Sequence, residues 1–315
     1  MDFSVSVIIP VYNAAAFVEK AVRSALMHDT VKEVVVVNDG STDKSLQILL
    51  SLQTEDDRIK IYHHENNSNK GRSASRNLAL QKSTQPFIAF LDADDFYLKN
   101  RFASDYDLFT SDFETEGVYN AIGVHFYRDF EINEQTELEL TTVSEPVNSD
   151  DLFECLLHGR IGYFSIDGLT IKKTVLDKIG FFKQHLIVAE DTDWILKMAL
   201  CCKLVAGEIR QPVAMRGVHE GNVFNQGEVY KKNRDAMYES VVHWSLQNNQ
   251  PISKVDLLLK YLFHYRSKEN YSFMTESAYW MHLIMRNPKL FASMLWIKYC
   301  PLIRQRKKLF PILFR

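Results

Sequence analysis

One stretch constrains this chain more than any other: Gln85-Pro86-Phe87-Ile88-Ala89-Phe90-Leu91-Asp92-Ala93-Asp94-Asp95. Five apolar residues follow a proline and run straight into three carboxylates. A short apolar run bounded by a turn residue predicts a buried strand. A strand buried on both faces belongs in a parallel sheet with helices on each side. In such sheets ligands sit at the carboxyl ends of the strands, and the acidic cluster falls at that end. Asp92 and Asp94 are two apart, so a bend at Ala93 can aim both at one cation. Hard divalent cations such as Mg2+ take oxygen ligands and share them with a substrate's phosphates. The stretch reads either as a metal site for a diphosphate or as a solvated acidic turn that ends a strand.

The chain around it has the same alternating character. Residues 5–13 open as a strand stopped by Pro10. Residues 14–27 show helical spacing, with Phe17, Ala21, Val22, Ala25 and Leu26 on one face. Val34-Val35-Val36-Val37-Asn38 is a second buried strand, and Asp39 to Asp43 form a turn that caps the helix expected over 45–52. Residues 59–63 make a third strand, 66–72 a polar loop, 73–82 a helix and 87–91 the fourth strand. Alternation of this kind means βαβ units. Three strands then end in polar clusters, Tyr12-Asn13, Asn38-Asp39 and Asp92-Ala93-Asp94, along one sheet edge, where they should converge. No Gly-x-Gly-x-x-Gly follows the first strand and no Walker-type loop is present, which argues against a dinucleotide dehydrogenase and a P-loop enzyme.

Five motifs in order carry a resemblance. They are Val5-Ser6-Val7-Ile8-Ile9-Pro10-Val11-Tyr12-Asn13, Val37-Asn38-Asp39-Gly40-Ser41-Thr42-Asp43, the loop Asn69-Lys70-Gly71-Arg72 with Ala74-Ser75-Arg76-Asn77, Leu91-Asp92-Ala93-Asp94-Asp95, and Glu190-Asp191. Together they resemble the family 2 glycosyltransferases of GT-A fold, closely over residues 4–97 and again over 168–204. The resemblance implies an α/β fold: a Rossmann-like, mostly parallel sheet flanked by helices, with a helical C-terminal extension. It also implies roles. Asp39 matches the carboxylate that accepts from uracil N3, though it could instead cap the following helix. Pro10, Val11 and Tyr12 match the segment along the nucleobase. Lys70 and Arg72 match a basic loop beside the nucleotide, the alternative being a solvated loop. Arg76 and Asn77 recur in the pattern or simply tie their helix to the sheet. Asp92 and Ala93 match the donor-binding part of the acidic motif, Asp92 near ribose and metal and Asp94 the direct metal ligand. The cofactor implied is Mg2+ or Mn2+, which bridges diphosphate oxygens on the leaving group.

In the second half, residues 188–194 open a helix with acidic residues in its first turn, a placement the helix dipole alone would favour. By resemblance Asp191 matches the catalytic base, which takes the acceptor hydroxyl's proton opposite the leaving group. Glu190 reads as acceptor-binding or orienting, and Asp193 competes for the base role. Residues 211–225 hold Arg216 and His219, where related enzymes carry an Arg-x-x-His segment. Arg suits a diphosphate and neutral His a metal, in a loop closing over the donor. Residues 98–150 say less: a helix over 105–116, strands over 121–127 and 137–143, and a turn near Asn133-Glu134 are expected, and by its position this insert is expected to shape the acceptor site.

Composition bounds the rest. A length of 315 residues suits one large or two closely joined domains, read as 1–97 for the donor, 98–225 for the acceptor and 226–315 as a helical region. The net charge of −3 gives no nucleic-acid footprint. It hides an asymmetry: Lys289, Lys298, Arg304, Arg306, Lys307, Lys308 and Arg315 meet no acid from 289 onward, leaving −10 on residues 1–288. Those residues alternate with Phe291, Leu295, Trp296, Ile297, Tyr299, Leu309, Phe310 and Phe314, with Pro301 and Pro311 keeping any helices short. Basic residues with aromatics suit an anionic membrane surface; the alternative is a packed helix with its charges in water. Cys155, Cys201, Cys202 and Cys300 show neither ligand spacing nor a disulfide framework, so reduced cytosolic thiols are expected. No signal peptide and no membrane-spanning segment are expected.

These readings converge on an inverting, metal-dependent glycosyltransferase. It would take a UDP-sugar as donor and a surface glycan or lipid-linked acceptor at the cytoplasmic membrane face. A retaining outcome, a nucleotidyltransferase and a non-catalytic nucleotide-sugar scaffold are the alternatives.

Overall fold

Residues 3–130, 134, 139–222, 227–269 and 271–309 are described by the computed structural model. Two compact units divide the chain, Met1–Gln226 and Gly227–Arg315. The first is built on β-branched runs. β1 (Val5–Val11), β2 (Val31–Asn38), β3 (Ile59–His63) and β4 (Phe87–Phe90) run parallel in the order β3-β2-β1-β4. Val7, Ile8, Ile9 and Val34 to Val37 are all fully buried, so neither face of the centre meets water. Each such side chain contributes about 1.5–3 kcal/mol on burial, which fixes these strands at the middle of the sheet.

β1 continues through Pro10 to Val11 instead of stopping at the proline as expected. On one side Leu91 N–H donates to Ile8 O at 3.0 Å; on the other Asp39 N–H donates to Val11 O at 2.8 Å. Even-numbered residues of β1 therefore face β4, which has ended at Phe90 before Pro10 is reached. The proline's missing N–H costs no ladder bond there.

The helices follow from the direction of the crossovers. α1 (Val18–Leu26) and α2 (Ser45–Glu55) connect strands that step one way, and both pack on the face of Val5, Val7, Ile9 and Val11. α3 (Arg72–Lys82) connects β3 back past β1 to β4, so right-handed crossover sends it to the other face. The connection reverses between β1 and β4, and that switch point opens a crevice at the strands' carboxyl ends.

Beyond β4 the sheet turns mixed. β5 (Phe96–Tyr97) and α4 (Ala103–Ser111) lead to β6 (Gly117–Tyr119) and β7 (Ile122–Phe126). α5 (Ser149–His158), β8 (Leu169–Lys172), α6 (Val175–Ile179), α7 (Glu190–Cys201), β9 (Leu204–Ala206) and β10 (Ala214–Val218) follow. β8 lies antiparallel to β4 and β6, and the order ends β4-β8-β6-β9. A three-stranded sheet, β5-β10-β7, stands apart. Arg216 thus sits on a strand and not on the loop expected over 211–225; it stands opposite Val124 of β7, while β5 pairs with Ala214 and Met215. Of the strand expected over 137–143, residues 137 and 138 lie outside the described residues; Thr141 bridges Ile122 and Val143 bridges Gly162. The expected turn at 133, the segment 223–225 and residues 310–315 also lie outside them.

The second unit is helical: α8 (Gly227–Gln247), α9 (Ile252–Arg266), α10 (Phe273–Arg286), and the short α11 (Met294–Tyr299), α12 (Pro301–Arg304) and α13 (Arg306–Leu309). Val255, Leu258, Leu259 and Leu262 of α9 and Trp280, Leu283 and Ile284 of α10 are buried. Among the described residues no helix is long and apolar enough to cross a membrane.

Candidate active site

The loops after β1 and β2 are tied to each other. Asn13 adopts a left-handed φ of 50°. Its Oδ1 accepts from Thr42 N–H at 2.8 Å, and its own N–H donates to Ser41 Oγ at 3.1 Å. Asp43 accepts from Ala15 N–H at 3.0 Å and Ser45 N–H at 2.9 Å, so the start of α2 is held by Asp43. Asp39 does something else. It is buried, and its two oxygens accept from Lys70 N–H at 2.7 Å and Gly71 N–H at 2.9 Å. It therefore clamps the turn that enters α3. Gly40 makes that approach possible: a Cβ there would stand 2.5 Å from Asn67 O, at a φ of +71°. Val11 is buried, Pro10 half-buried and Tyr12 exposed at 52%. Lys70 contributes its backbone to the clamp while its side chain is exposed.

α3 carries the cationic part. Arg76 is 1% exposed, and its guanidinium forks between Glu190 Oε1 at 2.8 Å and Asp92 Oδ1 at 2.6 Å. Arg72 reaches the same Glu190 oxygen at 2.6 Å and donates to Ile187 O at 3.3 Å. Glu190 is buried, and its Oε2 has no hydrogen-bond partner among the described residues. Burial and the neighbouring Asp191 charge raise its carboxyl, against Arg76 and Arg72. For Asp92, burial pushes upward but Arg76 and Arg72 prevail, and its carboxyl is lowered. Ala189, left-handed at φ 59°, turns the chain into α7, so Glu190 points inward while Asp191 stays half-buried, its Oδ1 accepting from Thr192 N–H at 2.7 Å and Thr192 Oγ1 at 3.4 Å. Asp193, the competitor for the base role, is fully buried and paired with Lys197 at 2.5 Å.

The acidic motif after β4 divides in two. Asp94 Oδ2 meets His219 Nε2 at 3.0 Å and accepts from Asn222 Nδ2 at 3.1 Å. Asp92 groups instead with Asp95 and Asp167, carboxylate oxygens of all three lying within 4.8 Å of one another. Asp167 accepts from Asp92 N–H at 2.9 Å, and Asp95 from Gly217 N–H at 2.8 Å. Gly217 has to be glycine, because a Cβ would stand 2.1 Å from Asp94 O. Burial comes first and neighbouring carboxylates second in raising all three of Asp94, Asp95 and Asp167, the last to about 6. Arg216 answers part of this charge: burial works against its cation, but Asp95 and Asp167 hold it protonated. Ala93, between the two carboxylates, is buried.

A divalent cation fits the carboxylate cluster of Asp92, Asp95 and Asp167, where crowded negative charge disfavours ionisation of Asp95 and Asp167; Asp94 and His219, expected to share a cation with Asp92, lie outside that cluster as a pair of their own. Asp94 and His219 already face each other. Gly221 N–H donates to His219 Nδ1 at 3.1 Å, so the neutral ring carries its proton on Nε2, toward Asp94. Ligation through Nε2 would move that proton to Nδ1 and release Gly221.

Asp167, Asn222 and the two-way reach of Arg76 had no place in the sequence reading. Asp167 follows Ser165 on a one-turn 3-10 helix (Ile166–Gly168) entering β8, the strand that pairs with β4. Its faint signal is an Asp just ahead of an apolar strand.

Residues 6–182 match the family model described as Glycosyl transferase family 2. The chain belongs to that family. An "Uncharacterized glycosyltransferase" of Haemophilus influenzae is 36% identical over 98 residues, 31% of this chain and 38% of that protein. "Succinoglycan biosynthesis protein ExoU" of Rhizobium meliloti is 40% identical over 97 residues, 31% of this chain and 28% of that protein. The match therefore spans well under half the length of either relative. Among solved structures, S. aureus TarS 1-349 in complex with UDP-GlcNAc is similar at a TM-score of 0.66 and 19% identity, covering 97% of this chain and 87% of that chain. That likeness is one of fold, and with the family match it makes the architecture GT-A: a mostly parallel sheet flanked by helices, followed by a helical region.

Proposed function

We propose that this family 2 chain is a glycosyltransferase that moves a sugar from a nucleoside-diphosphate sugar, a UDP-sugar, to a hydroxyl of a surface glycan or lipid-linked acceptor. The observation that carries the reading is one connected polar network at the sheet's switch point. Asp39 clamps the turn before Arg72; Arg72 and Arg76 share Glu190; Arg76 continues to Asp92, whose N–H meets Asp167. Anion-binding and cation-binding groups thus lie in one network, as a nucleoside diphosphate with a metal requires. The name of ExoU and the UDP-GlcNAc complex of TarS agree with such a donor and with polysaccharide assembly.

Within this reading Pro10, Val11, Tyr12 and Asp39 serve the nucleobase, Lys70, Arg72 and Arg216 the diphosphate, and Asp92, Ala93 and Asp94 the ribose and metal edge. Asp92, Asp94 and His219 would hold Mg2+ or Mn2+, which supplies charge neutralisation on the leaving diphosphate. Asp191 serves as base. Asp193 is spent on Lys197, and Glu190 is fixed by two arginines and orients the turn, whereas Asp191 keeps solvent access at the helix start. A carboxylate facing the acceptor hydroxyl favours inversion. Residues 1–97 serve the donor, 98–225 the acceptor, and 226–315 attach the enzyme to the inner face of the cell membrane.

The test is thermal stabilisation across UDP-, GDP-, CMP- and dTDP-sugars with Mn2+ or EDTA. Metal-dependent stabilisation by UDP-sugars, lost in Asp94→Asn, is expected. Stabilisation by none of these nucleotides would overturn the reading.

A further inference from the structure

α10 is apolar on two opposite sides. Trp280, Leu283 and Ile284 face inward and are buried. Met274, Met281 and Met285 are exposed at 80%, 41% and 75%. Their spacing of seven and four residues puts all three within about 40° on one stripe of the helix. A surface helix ordinarily turns polar residues outward, so an outward methionine stripe calls for a partner. Beyond the helix the chain goes on exposing large apolar side chains. Phe291 and Met294, at the entry to α11, are exposed at 68% and 72%. Leu302 and Leu309 add 41% and 38% further on.

Charge identifies the partner. No Asp or Glu occurs from residue 277 to 309, while Arg286, Lys289, Lys298, Arg304, Arg306, Lys307 and Lys308 do. The acid that precedes this stretch, Glu276, is turned inward: it pairs with Arg266 and accepts from Trp280 Nε1 at 3.1 Å. Lys298, Arg306 and Lys307 are exposed. Flexible apolar side chains on a segment whose own charges are all cationic match an anionic bilayer, whose headgroups meet the charges while methionine and phenylalanine enter the acyl boundary. A second copy of the same patch would set cation against cation, which opposes a symmetric dimer through this face.

We infer that the exposed face of α10, α11 and the short helices after them binds anionic lipid surfaces, with Met274, Met281, Met285, Phe291 and Met294 as the inserted residues and Lys298, Arg306 and Lys307 as the electrostatic part. This gives residues to the membrane attachment named in the functional reading, and it stands independently of the transfer chemistry. The sequence pattern had pointed to the tail after residue 290. The structure adds the α10 stripe, which the buried face of that helix had masked in the sequence.

The experiment is co-sedimentation of the full chain with vesicles of phosphatidylcholine alone or with about one third phosphatidylglycerol, alongside its mass in solution. Binding to the anionic vesicles only is expected, weakening as salt rises. Lys298→Gln/Arg306→Gln/Lys307→Gln should lower the partition about 100-fold, at about fivefold per charge. Met274→Ser/Met281→Ser/Met285→Ser should lower it at least tenfold while leaving UDP-sugar stabilisation and Tm unchanged, since all three side chains are exposed. Absence of sedimentation with anionic vesicles at low salt would overturn the inference, as would a methionine variant that binds like the wild type. A dimer dissolved by the methionine variant, without vesicle binding, would assign the face to a second copy of the chain.

Discussion

Replacing Arg76 by Met keeps most of the side chain's volume and removes the charge that joins α3, α7 and the acidic motif. Arg76 is buried between Glu190 and Asp92, at 2.8 and 2.6 Å. Removing one partner of a buried ion pair costs about 3–5 kcal/mol, because the remaining charge stays desolvated. Two features favour the lower end. Glu190 keeps Arg72 at 2.6 Å, and the Asp92 side chain retains 32% exposure. The expected loss is about 3 kcal/mol, equivalent to about 6–12 °C in Tm for a unit of this size. Arg76→Lys should restore less than half of it, because an ammonium cannot fork to two carboxylates. The pH dependence separates charge from packing. In the wild type the Asp92 carboxyl lies below its usual range, which arginine charge enforces, and the Glu190 carboxyl lies above it through burial. Without Arg76 both move upward, so the folded variant takes up protons that the folded wild type does not as pH falls from 7.5 toward 5. By linkage the deficit narrows in acid. Urea unfolding at pH 7.5 and 5.5 measures it. A deficit under about 0.5 kcal/mol, or one equal at both pH values, would refute the electrostatic account.

Further expectations concern the Asp39 clamp and the core. Asp39→Asn offers one acceptor oxygen to the N–H groups of Lys70 and Gly71, now 2.7 and 2.9 Å from separate oxygens. The clamp should weaken by about 1–3 kcal/mol, and UDP affinity by calorimetry should fall at least tenfold; unchanged affinity would contradict the assignment. His28 is held neutral down to about 4, by burial first and the Arg101 charge second. A lowered imidazole contributes stability that is full above its ordinary value near 6.5 and lost as pH falls toward 4. Discounting for partial solvent access, about 2 kcal/mol should disappear over that window in the wild type and not in His28→Gln, read from paired urea titrations; parallel curves would refute it.

The parallel half of the sheet was legible because its strands are short, apolar on both faces and separated by helical spacing. The polar residues at their ends converge for the same topological reason. Pro10 misled because the side to which a strand's N–H points depends on where a neighbouring strand stops. Arg216 misled because Ala214 to Val218 is too short to show a period, and Gly217 reads as a loop residue until Asp94 O is found against it. Asp167 was invisible for a different reason. It lies 75 residues from Asp92 in sequence, and only the antiparallel pairing of β8 with β4 brings them together. The family resemblance supplied the roles proposed for Asp39, Asp94 and Asp191, whereas the structure supplied their partners.

The most direct test of the central claim is release of UDP from UDP-sugars by the wild type and by Asp191→Asn, each with Mn2+ and with EDTA, with and without a glycan acceptor extract. The account predicts release by the wild type that requires metal and increases with acceptor. It predicts at least a 100-fold loss in Asp191→Asn, with UDP-sugar stabilisation retained. Wild-type rates from Asp191→Asn, or no release from any UDP-sugar in the presence of acceptor, would contradict it.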